Sequence, residues 1–421
     1  MTQKLKTWLA HTMWAIAIVA LPANAEVSVA QSSVKSLKVA PLSNPYMPPI
    51  ISLDGGDFIQ VNFDYLDYDV HYLRYRVTHC DAQWQPSDLV ESEYVSGFNQ
   101  ADITQYAQCN NTFTHYYNYN FTLPNDEMQL LKSGNYLITI FEQSDPDVVV
   151  AQARFSVSEN LVRVLPEVSS RTDVDYNSEH QQLKIDVRYK PGAIADPYNE
   201  LTAVVTQNSR LDNAVVLKQP MMVGSNSVTY SHNRALIFPA GNEYRRIETV
   251  NLHSLNMGVA AIEYFEPYYH ATLHTDEPRA TQPYLYDKTQ HGHFTIRNAE
   301  SAHSATEADY VVTHFSLYTG APLQGGHLMV QGEFTASLPV GDCFMGFDPQ
   351  SGCYTCDLLL KQGAYNYQYL WIPDGSQVGQ TAPIEGNKFQ TGNEYLVKIY
   401  DRPMGERYDR LVGYGITYGG R

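Results

Sequence analysis

Motifs that would assign a common enzyme class are missing from this 421-residue sequence. It has no G-x-S-x-G elbow, no H-E-x-x-H motif, no glycine-rich phosphate loop and no dinucleotide fingerprint. Its 45 acidic residues guarantee chance carboxylate pairs, so no glycosidase dyad can be assigned. We therefore predict that the protein is not an enzyme, and that alanine at any single acidic residue leaves its fold and role largely intact.

Positive charge and long apolar segments are also scarce. The chain has 28 Lys and Arg against 45 Asp and Glu, a net charge of −17, which opposes binding to nucleic acid and to anionic lipid. Beyond the first residues, no apolar run approaches the roughly 20 residues of a membrane-spanning helix. We predict a soluble or peripherally bound protein that neither inserts into a membrane nor binds nucleic acid.

Residues 1–25 have the form of a secretory signal peptide. Two lysines give a basic start, residues 13–21 are apolar, and the small residues at 23–25 form a cleavage pattern. The sequence therefore predicts export to the periplasm and a mature chain that begins at Glu26.

Helical periodicity is scarce, whereas short runs rich in Val, Ile, Tyr, Thr and Phe alternate with turn residues. Such a pattern is typical of all-β proteins. The 32 tyrosines, against 15 phenylalanines, suit half-buried strand positions with the ring inside and the hydroxyl at the water. We predict an all-β chain of tandem immunoglobulin-like β-sandwich domains.

The chain is longer than one compact core normally serves, so we expect several domains. Strand and turn signals predict an N-terminal immunoglobulin-like sandwich over residues 34–158, a middle β-domain over 160–300 and a C-terminal sandwich over 308–421. The segment 298–307, rich in Ser, Ala and Glu, is predicted to be the linker into the last domain. The clearest predicted strands are residues 58–63, 73–77, 117–121, 136–141, 153–157, 183–187, 201–205, 310–317, 363–369 and 393–400.

Five cysteines are present, and export would permit disulfides. A hairpin turn at residues 348–351 would place Cys343 opposite Cys356, close enough for a bridge, and we predict this pair. A Cys343–Cys353 bridge with a different turn, a Cys80–Cys109 bridge, and unbridged buried thiols are the alternatives.

Three spacings are incomplete versions of metal or redox sites. Cys353 and Cys356 have a redox-like spacing but lie in a predicted strand rather than at the start of a helix. His291 and His293 share one face of a predicted strand but lack a third ligand. The acidic loop that begins at Asp173 lacks the glycine and the glutamate of a calcium loop. We therefore predict no metal and no cofactor.

Several short blocks occur along the sequence in a characteristic order. They are H-C-D-A-Q-W at residues 79–84, S-G-N-Y at 133–136, E-G-N at 385–387, N-E-Y at 393–395 and R-Y-D-R-L-V-G at 407–413. Together, over nearly the whole mature chain, they resemble the plug protein family of the type IX secretion system.

The resemblance implies a non-enzymatic role in the periplasm. Plug proteins occupy the periplasmic opening of the large outer-membrane translocon barrel and close it when no cargo-bound shuttle protein is engaged. The implied partner is this barrel protein, with no small-molecule substrate, and the implied location is the periplasm, associated with the outer membrane through the translocon.

A reversible seal requires an interface of roughly 1,200–2,000 Å² with Tyr, Trp and Arg anchors. For each anchor, internal packing or a local salt bridge is the alternative role. The predicted partner contacts are Trp84, Tyr268, Tyr269, Arg407, Tyr408 and Arg410.

A periplasmic or surface carbohydrate-binding β-sandwich is the alternative function. Exposed aromatic rings on a sandwich can stack on sugars, and the strand at residues 363–367 is similar to one in starch-binding modules. Against it, cleavage of the signal would leave only Trp84 and Trp371, which are few for a sugar platform.

Overall fold

The computed structural model describes residues 27–420, and strands dominate this range. The prediction of an all-β chain of β-sandwiches is confirmed. The predicted signal peptide and its cleavage site lie outside the described residues. Within the described range, no helix combines the length and the apolar character needed to cross a bilayer.

The first unit, residues 27–158, contains twelve strands and the short helix α1 (Glu91–Tyr94). Its strands are β1 (Val27–Val29), β2 (Val34–Pro41), β3 (Ile50–Ser52), β4 (Ile59–Tyr65), β5 (Leu73–Cys80), β6 (Val95–Gly97), β7 (Ala101–Asp102), β8 (Gln105–Gln108), β9 (Tyr117–Leu123), β10 (Met128–Leu130), β11 (Gly134–Glu142) and β12 (Asp145–Ser158).

The next seven strands belong to the middle unit, and a 3-10 turn at Arg234–Leu236 lies between the last two of them. They are β13 (Val162–Ser169), β14 (His180–Tyr189), β15 (Leu201–Gln207), β16 (Arg210–Leu217), β17 (Met222–Val223), β18 (Ser227–Tyr230) and β19 (Ile237–Pro239).

The third unit follows, with the short helix α2 (Ser304–Glu307) and 3-10 turns at Glu333–Ser337 and Val340–Cys343. Its strands are β20 (Arg245–Glu248), β21 (Val259–Phe265), β22 (Tyr268–Leu273), β23 (Phe294–Ile296), β24 (Tyr310–Tyr318), β25 (Gly326–Gln331), β26 (Gly346–Asp348), β27 (Cys353–Lys361) and β28 (Gly363–Pro373). The chain ends with β29 (Glu394–Asp401) and β30 (Arg410–Tyr418).

The first unit is a sandwich of two sheets, beside which β6 and β10 form a separate two-stranded sheet. One sheet has the order β1-β12-β11-β5-β7 with β3 beside β12, and the other has the order β2-β4-β9-β8. Alternation along β4 places Ile59, Val61 and Phe63 inside, where they pack in one core with Tyr136 and Phe155. The predicted strand at 153–157 is the inner end of the longer β12, which begins at Asp145.

The middle unit is completed by the end of the chain. Its first sheet, β13-β14-β18-β17 with β19 beside β14, comes from residues 162–239. Its second sheet, β16-β15-β29-β30, contains the last two strands, and Leu201 of β15 pairs with Asp401 of β29. Val187 and Val397 pack in the same core. The third unit is therefore inserted between β19 and β29.

Strand pairing corrects the predicted boundaries of the middle domain (160–300) and the C-terminal domain (308–421). Strands β20 and β23 pair with β28, and β22 pairs with β24, so all of them belong to the third unit. The predicted linker at 298–307 contains α2 and lies inside this unit. Hydrophobic alternation identifies strands but not their partners, so it could not show that the chain returns to the middle unit.

The third unit is again a sandwich of two sheets. One has the order β20-β28-β23 with β25 beside β28, and the other has the order β21-β22-β24-β27-β26. Phe315, Leu358 and Tyr367 lie in the core between them. In the second sheet β21 and β26 are the outer strands, so each pairs with one neighbouring strand.

A buried ion pair joins the first unit to the third. Nζ of Lys361 on β27 lies 2.6 Å from Oδ2 of Asp64 on β4, and the two side chains are 2% and 1% exposed. The Tyr310 hydroxyl and the Asn118 amide donate to the same carboxylate at 2.6 and 2.7 Å, and Lys361 donates to the Ala305 carbonyl at 2.7 Å. Burial lowers the pKa of Lys361, and the charge of Asp64 opposes that shift. We therefore expect Asp64 to be an exception to the prediction that alanine at any single acidic residue leaves the fold and role largely intact.

The C-terminal hairpin joins the first unit to the middle unit. The Tyr400 hydroxyl donates to Oδ1 of Asn135 at 2.8 Å, and the Lys398 ammonium donates to the Ser156 hydroxyl at 3.0 Å. The backbone of β30 also accepts a hydrogen bond from the segment that follows β12. Because β29 and β30 are strands of the middle sandwich, these contacts fix its position against the first unit.

A cavity of about 510 Å³ lies where the three units meet, and its wall is mostly apolar. One side is ionic: Oε2 of Glu333 lies 3.1 Å from Nδ1 of His293 and 3.4 Å from Nζ of Lys38, and accepts from the Phe294 N–H at 3.1 Å. Burial opposes both charges of the His293–Glu333 pair. Even so, His293 and Lys38 lower the pKa of Glu333 to about 2, and Glu333 raises the pKa of His293. Burial raises the pKa of Glu394, the other carboxylate that acts on His293.

The predicted register around the cysteines is wrong: the turn lies one residue further along the chain, which shifts every pairing partner by two residues. Asp348 pairs with Cys353, so the turn begins at residue 349, and Cys343 lies in a 3-10 turn before β26 rather than on the strand. All five cysteines, which fall within the described range, are free thiols. Burial raises the pKa of the Cys343 and Cys356 thiols to about 12. The Cys343–Cys356 bridge is absent here and stays a prediction.

We predict that Asp64→Ala lowers the free energy of unfolding by about 3–5 kcal/mol, because it leaves a buried ammonium group without its counter-ion. The measurement is urea denaturation of the purified mature chain. Lys184→Ala, which removes an exposed pair with Asp186, is the matched control and is expected to change stability little. An Asp64→Ala effect no larger than that of the control would contradict the assigned role.

We also predict that the His293–Glu333 pair stabilises the protein most between about pH 4.3 and 6.5. The pKa of His293 is raised on folding, so its contribution is complete below about pH 6.5 and is lost as the pH rises through the raised value. The pKa of Glu333 is lowered to about 2, so its contribution is complete above about pH 4.3 and is lost as the pH falls towards 2.

The measurement for this pair is the difference in unfolding free energy between the unaltered protein and Glu333→Gln, from about pH 3 to pH 8. The difference should be largest inside the window and shrink on either side of it. A difference that does not vary with pH would show that the pair is not ionic.

Candidate partner-binding surface

The block at residues 79–84 lies against the block at 407–413. The rings of His79 and Tyr408 meet edge to face, with centroids 5.4 Å apart, and Oδ2 of Asp409 accepts from the Ala82 N–H at 2.8 Å. Gly134, from the S-G-N-Y block, has φ +131°, and a Cβ there would lie 2.6 Å from Nε2 of His79. These three blocks therefore form the joint between the first unit and the C-terminal hairpin.

The E-G-N block is also internal. The Glu385 side chain has no exposed surface; its carboxylate accepts from Nε of Arg245 at 3.1 Å and from Nη2 of Arg279 at 2.6 Å. Oδ1 of Asn387 accepts from the Gly241 N–H at 3.1 Å. This block thus holds the loop that leads from the third unit back to the middle unit.

The predicted contact residues of the C-terminal block are engaged within the chain. Tyr408 is 7% exposed and packs on His79, and its contact with a partner stays a prediction. Arg407 pairs with Glu93, and Arg410 pairs with Asp401. Contact of these two arginines with a partner stays a prediction.

Trp84 is half-buried between the first and middle units. Its ring lies 4.9 Å from the Arg154 guanidinium and 5.4 Å from the Lys398 ammonium, measured to the centroid. Such cation–π contacts stabilise packing between units. The structure thus gives Trp84 a clear internal role, and a partner contact there stays a prediction.

Residues 264–269, a Tyr-rich run that includes the predicted contacts Tyr268 and Tyr269, form part of an exposed aromatic cluster. The ring centroids of Phe113 and Tyr264 are 4.8 Å apart, those of Phe113 and Tyr269 are 5.5 Å apart, and those of Tyr264 and Tyr269 are 5.1 Å apart. Phe113 is 55% exposed, Tyr264 42% and the neighbouring Phe265 57%. We call these four residues the aromatic edge.

Two units build the aromatic edge. In the third unit, Tyr264 pairs with Tyr269 across the β21–β22 hairpin, and Phe265 pairs with Tyr268. In the first unit, the loop that carries Phe113 is anchored by Asp309, whose carboxylate accepts from the Phe113 N–H at 2.7 Å. The sequence pointed to Tyr268 and Tyr269 but missed Phe113, because nothing local shows that a loop of the first unit reaches this hairpin.

The charge around the aromatic edge is negative. Residues 259–273, which span the hairpin, include Glu263 and Glu266 but no Lys or Arg, and both glutamates are exposed. On the outer face of the same sheet, Nδ1 of His270 lies 2.9 Å from Nε2 of His314, whose Nδ1 lies 2.7 Å from Oδ1 of Asp357. The surface therefore combines exposed rings with an acidic rim, which favours a partner with apolar and basic side chains.

His291 and His293, the two histidines considered as metal ligands, do not lie together on a strand. Residues 291 and 292 form a turn before β23 rather than a strand, and His293 faces Glu333 instead. Across residues 27–420 no group of three or more His, Cys, Asp or Glu side chains is arranged to hold a metal ion.

Comparison with known proteins identifies related chains. The family model described as "Type 9 secretion system plug protein 1st domain" matches residues 34–159. The crystal structure at 2.30 Å resolution of a hypothetical protein from Parabacteroides merdae ATCC 43184 is 41% identical, with a TM-score of 0.91, over 94% of this chain and 99% of that chain. A comparison with curated proteins finds no match. The match over the first unit shows that the chain belongs to the plug protein family of the type IX secretion system.

Proposed function

We propose that this protein binds the outer-membrane translocon of the type IX system and plugs its periplasmic opening when no cargo shuttle is engaged. Membership of the plug family already gives the chain a role in type IX secretion. The observation that supports the finer proposal best is the joining of the first and third sandwiches through the buried Lys361–Asp64 pair. A steric block must keep its shape when a partner presses on it, and this pair resists movement between units.

The proposed role is non-catalytic and periplasmic. The plug family suggests a structural rather than a catalytic role, and a location with the secretion machinery. Attachment to the outer membrane through the translocon barrel is part of the proposal. The aromatic edge supports it, because exposed rings beside a charged rim are typical of surfaces that bind proteins.

The structure does not favour the carbohydrate-binding alternative. Tyr365 and Tyr367, on the strand compared with starch-binding modules, are buried in the core of the third unit, and Trp371 is buried as well. Trp84 is covered by two cationic side chains. The buried rings of Tyr365, Tyr367 and Trp371 therefore offer no open face for stacking on a sugar.

We predict that deletion of the gene lets large hydrophilic solutes enter the periplasm, but only in cells that also contain the translocon. The physical reason is that an unplugged barrel is an open pore, whereas a cell without the barrel has no pore to close. The measurement is uptake of a large hydrophilic antibiotic in four strains, with and without each gene. Restoring the gene should restore exclusion, and equal uptake with and without the protein would overturn the proposal.

A further inference from the structure

Strand β21 is a free edge of the third unit. Among the described strands it pairs with β22 alone, on the outside of the five-stranded sheet. An outer strand presents unpaired backbone N–H and C=O groups, which are a template for another strand. Native edges are commonly protected by shortness, by charged side chains, by proline or by β-bulges. Strand β21 has a register shift between Val259 and Ala261, but residues 261–265 pair regularly with β22 and contain neither lysine nor proline.

The side chains of β21 add apolar contact area on both faces of that edge. Adjacent residues of a strand point to opposite faces, so Tyr264 and Phe265 lie on different sides. Tyr264 joins Phe113 and Tyr269 on one side, whereas the Phe265 ring contacts the His270 ring, 5.3 Å away, on the other. A strand added to β21 would therefore meet an exposed aromatic ring on each of its faces.

A second long edge provides a comparison. Strand β16 is one outer strand of the middle unit and has eight residues, but Val216 is its only exposed large apolar side chain. Arg210 and Asp212, which form an ion pair, lie in the first three residues of this strand. An unpaired backbone is thus not special to β21, whereas the combination with exposed rings separates it from β16.

Charge selects the kind of segment that would fit. Glu263 lies within β21 and Glu266 directly follows it, the hairpin contains no Lys or Arg, and the whole chain has a net charge of −17. A partner strand that carries Lys or Arg would be attracted to this edge, and an acidic one would be repelled. Such strand addition obtains affinity from backbone hydrogen bonds and specificity from alternate side chains.

We propose that an extended segment of the translocon, with basic side chains beside apolar ones, adds to β21 as an extra strand against the aromatic edge. This inference rests on the proposed function, since it assigns the surface through which the plug holds its partner. Phe113 contributes from the first unit, so the surface is complete only when the first and third units are held together.

The experiment measures the affinity of the mature protein for the purified translocon barrel in detergent. The double variant Tyr264→Ala/Phe265→Ala should weaken binding at least about tenfold, because buried aromatic anchors dominate the energy of such interfaces. Phe98→Ala, which removes another exposed ring of the first unit, is the matched control and should bind as the unaltered protein does. Thermal unfolding of each variant confirms that it is folded.

The charge is tested in the same assay. Glu263→Lys/Glu266→Lys should weaken binding, and more so at low salt, where charges are least screened. Asp54→Lys/Asp126→Lys makes the same change in net charge at exposed positions outside the hairpin and should have little effect. Hydrogen exchange should also show that the backbone amides of residues 260–265 become protected when the barrel is bound.

The outcomes separate the two proposals. Binding that is equal in the unaltered protein and in both hairpin variants would overturn the β21 assignment and leave the plug function intact. Absence of any binding by the unaltered protein would overturn both. A dimer of this chain formed through β21 would also overturn the assignment, because a second copy would then occupy the edge.

Discussion

The pairing of Lys361 with Asp64 is the interaction on which the arrangement of the three units depends. Removing two charges from water is costly, and the cost is offset only while Tyr310, Asn118 and the carbonyl of Ala305 complete the site. These groups come from two units that are far apart in sequence. The pair therefore tolerates one relative position of the first and third units, and this position also brings Phe113 to the β21–β22 hairpin.

Insertion of the third unit into the middle one extends this constraint to the whole chain. The chain leaves the middle sandwich after β19 and returns to it at β29, so the third unit is held at both of its ends. The sequence blocks on which the resemblance rests lie at the joints between units, where His79 meets Tyr408 and Glu385 binds two arginines. These blocks preserve the shape of the body, whereas the exposed rings at β21 are available to a partner.

Much of the fold could be predicted from the sequence, but its connections could not. Alternation such as that of Ile59, Val61 and Phe63 identified strands correctly, because the inner face of a sandwich must be apolar. The outer face gave no comparable signal: Asp64 and Lys361 occupy outward positions that another unit covers, and 297 residues separate them. The same limit applies to the candidate site, since Tyr268 and Tyr269 belong to a visible run whereas Phe113 reaches them only through the packing of two units.

Rigidity of the three joined units is tested most directly by a distance measurement in solution. Spin labels, introduced through an unnatural amino acid at the exposed positions Phe98 of the first unit and Leu285 of the third, report the separation of these units by pulsed electron paramagnetic resonance. One narrow distance distribution is expected, unchanged when the translocon barrel is bound. A broad or two-peaked distribution in the free protein would show that the units move independently and would contradict a rigid plug.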